Sequence, residues 1–179
     1  RTEDMTSKAR ALVFDSAVFW STLVSLRRAI HADPEPGFSE FKTRKKIRDL
    51  LELHGVIVKG ETFVKEMAVS GMVVDIEGTA PPVEPSGNIK TIALRADLDA
   101  LTMTEQNRSL PHRSQNEGLA HMCGHDGHMT ALCGAALILA SKRELIPKGC
   151  KVRLLFQPAE EGTPAGTAGY DFDKTGGGG

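Results

Sequence analysis

Apolar residues recur along this chain at two different spacings, and the alternation between them restricts it to folds that layer helices on a sheet. Over 7–31, Leu12, Val13, Phe14, Val18, Phe19, Leu23, Val24, Leu26 and Ile30 stand three and four apart, as on one side of a helix. Pro34, Pro36 and Gly37 stop that helix near Asp33. Ser39 is placed to cap a second helix over 40–54, with Phe41, Ile47, Leu50, Leu51 and Leu53 turned inward and Gly55 ending it. Shorter β-type runs follow at 56–58, 71–76 and 91–95, then a helix over 126–142, then a strand at 152–156 closed by Pro158. Between two of the strands, 80–88 holds Pro81, Pro82, Pro85 and Gly87 and reads as a loop. The fold class expected is α/β, organised as one unit over 7–162. Beyond it, 163–179 is glycine-rich, ends in four glycines, and is expected to be a poorly ordered loop or linker.

Composition removes several function classes. Lys plus Arg is 22 against 23 for Asp plus Glu, so no strongly basic surface for nucleic acid is expected. Aromatic residues are 5%, too few for a base-stacking platform. The apolar run around 135–140 is far short of the ~20 residues that span a bilayer. Cys123, Cys133 and Cys150 make no disulfide framework. They fit a reducing compartment or a metal-binding role for one thiol; the cytoplasm is favoured, with a secretory or organellar location as the alternative.

Reactive side chains gather in three places. In His121-Met122-Cys123-Gly124-His125-Asp126-Gly127-His128, three imidazoles, a thiol and a carboxylate, all metal-binding groups, lie within eight residues. Cys123 and His125, two apart in a looped backbone, point the same way and can reach one centre. No second Cys pair stands at zinc-finger spacing. The second place is Phe156-Gln157-Pro158-Ala159-Glu160-Glu161-Gly162, just past a strand, where ligands gather in open α/β sheets. Of two adjacent carboxylates there, one can bind metal while the other shuttles protons. The third is Leu94-Arg95-Ala96-Asp97-Leu98-Asp99-Ala100, whose Asp97 and Asp99 can orient a histidine or bind metal directly.

These three stretches, with His31-Ala32-Asp33-Pro34-Glu35-Pro36-Gly37-Phe38-Ser39-Glu40 and Leu110-Pro111-His112-Arg113-Ser114-Gln115-Asn116, resemble the M20 peptidase family. They are similar to its branch of hippurate hydrolases, N-acyl-amino-acid hydrolases and plant auxin-conjugate hydrolases. The resemblance implies a layered α/β/α, zinc-peptidase-like catalytic domain with a mostly parallel central sheet. It implies that 1–179 is the N-terminal part, with further histidine ligands and a lid domain outside it. Residue by residue, it implies Cys123, His125 and Glu161 as metal ligands, Glu160 as the catalytic base and Asp99 as the residue orienting a ligand. The implied cofactor is a pair of divalent ions, zinc above all, with manganese or cobalt as substitutes. The implied substrate is an N-acyl amino acid or similar conjugate, and the implied assembly a homodimer through the lid domain. One departure is Ala120-His121-Met122-Cys123-Gly124-His125, where the branch reads Met-His-Ala-Cys-Gly-His. The competing expectation is a truncated or repurposed domain of this type with a structural or binding role and no turnover. His31, His54 and His112 are expected at surface or structural positions.

Overall fold

Asp15 divides the expected first helix in two. The structure, a computed structural model describing residues 5–82 and 90–162, has α1 at Met5–Phe14 and α2 at Ser16–Ala32. Asp15 is extended between them, and its carboxylate accepts from Val18 N at 3.0 Å, capping α2. Helix α3 spans Phe41–Leu53, but Ser39 does not cap it. The cap comes from Glu35, whose carboxylate accepts from Lys42 N at 3.2 Å and Thr43 N at 2.7 Å. Ile47 and Leu51 are buried as expected, whereas Phe41 and Leu53 face solvent. Gly55, with φ 71°, ends α3. The run 56–58 is no strand: Val56 N and Ile57 N donate to Leu51 O, folding these apolar residues under the helix end.

Four described strands follow: β1 (Val64–Met67), β2 (Gly71–Glu77), β3 (Thr91–Asp97) and β4 (Lys151–Gln157). Helix α4, His125–Ser141, connects β3 to β4. The expected loop at 80–88 lies mostly outside the described residues, as does the tail 163–179. The strand order is β1-β2-β4-β3. Only β3 and β4 pair in parallel, so the sheet is mixed rather than mostly parallel. The connections explain this. A tight turn at 68–70, with Ala68 and Val69 at positive φ, returns β2 along β1, while α4 carries the chain back over the sheet so that β4 enters alongside β3.

All four described helices lie on one face of the sheet. Met72, Val74, Ile76, Ala96, Val152, Leu154 and Phe156 point into the same core as Leu23, Ile30, Ile47, Leu51, Met129 and Leu137. The expected second helical layer is thus not among the described residues. Alternation puts Val73, Asp75, Arg153 and Leu155 on the other face. There Asp75 is clamped by Arg153 Nε at 2.7 Å and Lys151 Nζ at 2.8 Å. Helix α4 is buried along most of its circumference, and Gly134 lets α2 come close: a Cβ there would lie 3.0 Å from Leu23 Cδ1. No single described helix is long and apolar enough to cross a membrane.

This topology positions the reactive residues. Since β3 and β4 are parallel, their carboxyl ends lie together, with Asp97 level with Gln157. Helix α4 runs back from that same end, so its N-terminus sits beside them.

Candidate metal centre

The αL glycine Gly124 (φ 89°) turns the chain into α4, and His125 enters the helix facing the strand ends. His125 Nδ1 donates to the Asp99 carbonyl oxygen at 2.9 Å and lies 3.4 Å from Asp99 Oδ1. That fixes the ring and leaves Nε2 toward the site, 3.8 Å from Glu160 Oε2 and 3.9 Å from Glu161 Oε1. The Asp99 carboxylate also accepts from Glu161 N at 2.8 Å, tying the end of β3 to the acidic turn after β4. Cys123, exposed, completes a group with His125 and Glu161 whose donor atoms all lie within 4.8 Å of one another. Asp97, His125 and His128 form a second such group, sharing His125. Arg95 is the cation near them, with Nε 2.9 Å from Asp97 Oδ1 and Nη2 3.8 Å from Glu160 Oε1.

The acidic turn is held in a demanding conformation. Ala159 has φ 52°, a left-handed position unusual for a residue with a Cβ. Its N–H donates to Glu40 Oε1 at 2.9 Å, and Ser70 Oγ donates to the other Glu40 oxygen. Glu40 is fully buried, and burial raises its pKa above the usual carboxylate value. Gly37 lies against the same turn, where a Cβ would approach Gly162 O at 2.5 Å.

The electrostatics show what the cluster lacks. Four carboxylates, Asp97, Asp99, Glu160 and Glu161, converge on imidazole and thiol groups. The Asp99 carboxylate, 3.4 Å from the ring, outweighs burial and pushes the His125 pKa up to about 9. Glu161, hydrogen-bonded to Cys123, raises its thiol pKa. Burial acts to raise Asp99, but His125 and the Glu161 N–H outweigh it and the carboxyl stays below its ordinary value. Buried Asp99 Oδ1 has no hydrogen-bond partner among the described residues. A cluster that pulls protons onto imidazole and thiol is short of positive charge, and thiolate, imidazole and carboxylate are the donors that hold zinc-like ions. The residues present therefore fit a divalent cation.

The family model for peptidase family M20/M25/M40 matches residues 93–172. Within this chain, 93–172 thus carries the sequence pattern of the M20 peptidase family. Over 140 residues it is 42% identical to IAA-amino acid hydrolase ILR1-like 2 of Arabidopsis thaliana, a match covering 78% of this chain and 28% of that protein. It is 42% identical over 139 residues to N-acetyl-L-cysteine deacetylase of Bacillus subtilis, covering 78% and 30%. Among solved structures, the Bacillus subtilis YXEP protein, described as a dinuclear metal-binding peptidase of the M20 family, superposes with a TM-score of 0.67. It is 34% identical, over 82% of this chain and 37% of that one. The chain thus spans about a third of the length of the relatives it matches.

Cys123, His125 and Glu161, singled out from the sequence, come together, with Glu160 beside them and Asp99 against His125. His128 is exposed, its ring stacked on that of His125 at 5.6 Å. His112 and His54 are both half-buried. His31 is neither a surface residue nor idle: it is buried and bonded to Asp126 and Glu105. His121 is buried with neither ring nitrogen hydrogen-bonded among the described residues, and burial lowers its pKa to about 4. The roles of Glu35, Glu40 and Asp126 have no sequence signal beyond their place in the motifs, and Glu105 lies outside all of them.

Proposed function

We propose that this chain is the N-terminal part of a metal-dependent amidohydrolase acting on N-acyl amino acids or similar amino-acid conjugates. The observation that carries the reading is the convergence of Cys123, His125 and Glu161 on one point with a second carboxylate, Glu160, beside it. Similarity to proteins named as an amino-acid conjugate hydrolase and a deacetylase supports the substrate class. The name of the YXEP protein supports a paired metal centre, and we assign it to two divalent ions, zinc by the donor set.

Cys123 as thiolate, His125 through Nε2 and Glu161 would hold metal, with further ligands from sequence outside 1–179. Divalent ions bound there would supply the Lewis acidity that makes water a nucleophile near neutral pH and polarises the scissile carbonyl. Asp99 keeps the His125 ring turned so that Nε2 is the free nitrogen. Glu160 accepts the proton of the attacking water and passes it to the leaving amine. Arg95 Nη2 lies 3.8 Å from Glu160 Oε1, beside that carboxylate. The products are a carboxylic acid and a free amino acid.

The test is metal analysis of the full chain carrying this sequence, with hydrolysis of a panel of N-acyl amino acids, using Glu160→Gln as control. Bound divalent metal, turnover by the wild type and loss of turnover with metal retained in Glu160→Gln are the results expected. Metal binding without hydrolysis of any panel member refutes the substrate class. Full activity in Glu160→Gln refutes the base.

A further inference from the structure

Behind the metal-centre residues lies a buried polar network that the proposed mechanism does not use. Asp126, next to His125, is fully buried. Its Oδ2 faces His31 Nδ1 at 2.9 Å and Arg27 Nε at 3.0 Å, and its Oδ1 accepts from Gly127 N at 2.9 Å. The other nitrogen of His31, Nε2, faces Glu105 Oε1 at 3.3 Å. Glu105 in turn accepts from Ser114 N at 2.7 Å through Oε2. A buried carboxylate is costly unless paired and hydrogen-bonded, so this one is expected to pin what it touches.

What it touches is the geometry of the metal donors. Successive residues of a helix point about 100° apart, so in the first turn of α4 His125 faces the strand ends while Asp126 faces α2. No side chain caps α4 at Gly124. Asp126 and its partners therefore hold the azimuth of that turn from the α2 side, as the His125–Asp99 hydrogen bond holds it from the strand side. The Glu105 arm acts on the other donor. Glu105 and Ser114 brace the loop whose return, through the Leu101–Ala120 bridge, delivers His121, Met122 and Cys123. One imidazole thus ties the residue beside His125 to the loop leading to Cys123.

Resting on the metal-centre reading above, we propose that His31 and Asp126 are positioning residues for the metal site, setting the separation of the Cys123 thiol and His125 Nε2 before any ion binds. The alternative is a purely structural clamp, which would change stability and leave the donors where they are.

The experiment uses the full chain in four forms: wild type, His31→Gln, Asp126→Asn and Arg27→Met. Arg27 is half-exposed, so its variant should fold even if the buried changes do not. Three quantities are measured: metal affinity by competition with a chelating dye, the cobalt-substituted absorption spectrum including the thiolate charge-transfer band, and melting of the metal-free protein. Partners of this kind typically change metal affinity 10–100-fold. Weakening of roughly that size with an altered cobalt spectrum is expected for His31→Gln and Asp126→Asn. A smaller loss in the same direction is expected for Arg27→Met, with metal-free melting near wild type. Lower melting temperatures with wild-type affinity and spectrum overturn the proposal. So does wild-type affinity in Arg27→Met, if that alone folds. A wild type that takes up no metal refutes the metal reading itself, and a wild type that binds metal but hydrolyses nothing refutes only the substrate class.

Discussion

Substituting Gly37 by alanine should damage catalysis more than stability, and the distances say by how much. A Cβ on Gly37 would stand 2.5 Å from Gly162 O, 2.9 Å from Ala159 Cβ and 3.0 Å from Ala159 Cα. Ordinary contact begins at 3.4 Å, so the carbonyl must retreat by about 0.9 Å, the difference between 3.4 and 2.5 Å. No flexible side-chain end is among these neighbours, so no rotamer change relieves the clash. The two residues displaced bracket Glu160 and Glu161. Overpacking of this kind costs about 1–3 kcal/mol, partly offset by the ~0.4–1 kcal/mol that Gly→Ala gains from the unfolded chain. A net loss of about 1–2 kcal/mol is expected. A misplacement near 1 Å at a reacting group costs about 10²-fold in rate. Urea denaturation with kcat and KM on the best panel substrate should therefore show a modest stability loss and a kcat reduced about 100-fold. Gly127→Ala is the control: nothing lies within 4 Å of its Cβ and φ is not positive. In α4 it should be neutral or stabilising by up to about 1 kcal/mol. Wild-type kcat in Gly37→Ala would refute the inference that Gly37 is needed for the turn to aim its carboxylates.

Other expectations follow from the site and the sheet. Cys123→Ser should weaken metal retention on dialysis against a chelator, and unchanged retention removes the thiol from the site. Cys133, buried with its thiol pKa pushed up to about 12 by burial, should resist thiol reagents in the native protein. Exposed Cys123 should react and be protected by added zinc, as read by mass spectrometry. Asp75, hydrogen-bonded by Arg153 and Lys151, has a folded-state pKa below 3.8. Its contribution is therefore present above that value and lost as pH falls through the folded pKa. Asp75→Asn should lower stability at neutral pH by about 1–3 kcal/mol and flatten the acid limb of a stability-against-pH curve below about pH 4. A limb as steep as wild type contradicts the pairing.

Much of this was legible from residue order, and the failures share a physical pattern. Helix α4 and strands β2 and β4 are legible because apolar residues bound for the core dominate them, whereas β3, mostly exposed until Ala96, is legible from its β-favouring Thr91-Ile92-Ala93-Leu94 run. Strand β1, Val64-Lys65-Glu66-Met67, was missed because it is short and mostly exposed at the sheet edge, leaving no apolar alternation to detect. Val56 and Ile57 read as strand because they are apolar and β-branched, and such residues folded under the end of α3 look the same in sequence as residues in a sheet. That these side chains gather is legible because Cys123 and His125 stand two apart in sequence and Glu160 and Glu161 follow a strand. The residues that aim them are not. His31 meets Asp126 across 95 positions and Glu40 meets Ala159 across 119, and no local spacing reports contacts that the tertiary fold alone creates. The mixed sheet had the same origin, since strand direction depends on the connections rather than on the strands.

The β3–α4–β4 crossover has a consequence for how the protein acquires its site. Asp99 follows the first strand, His125 opens the helix and Glu161 follows the second strand. None of them faces another until β3 and β4 have paired, and the unfolded chain holds no preassembled donor set. Metal would therefore bind after the crossover closes and act as a latch on it, slowing unfolding more than it speeds folding. At free metal a hundred times Kd the native state gains about 2.7 kcal/mol over the unfolded one. Where the supply of such a metal fluctuates, the lifetime of this fold would follow the supply.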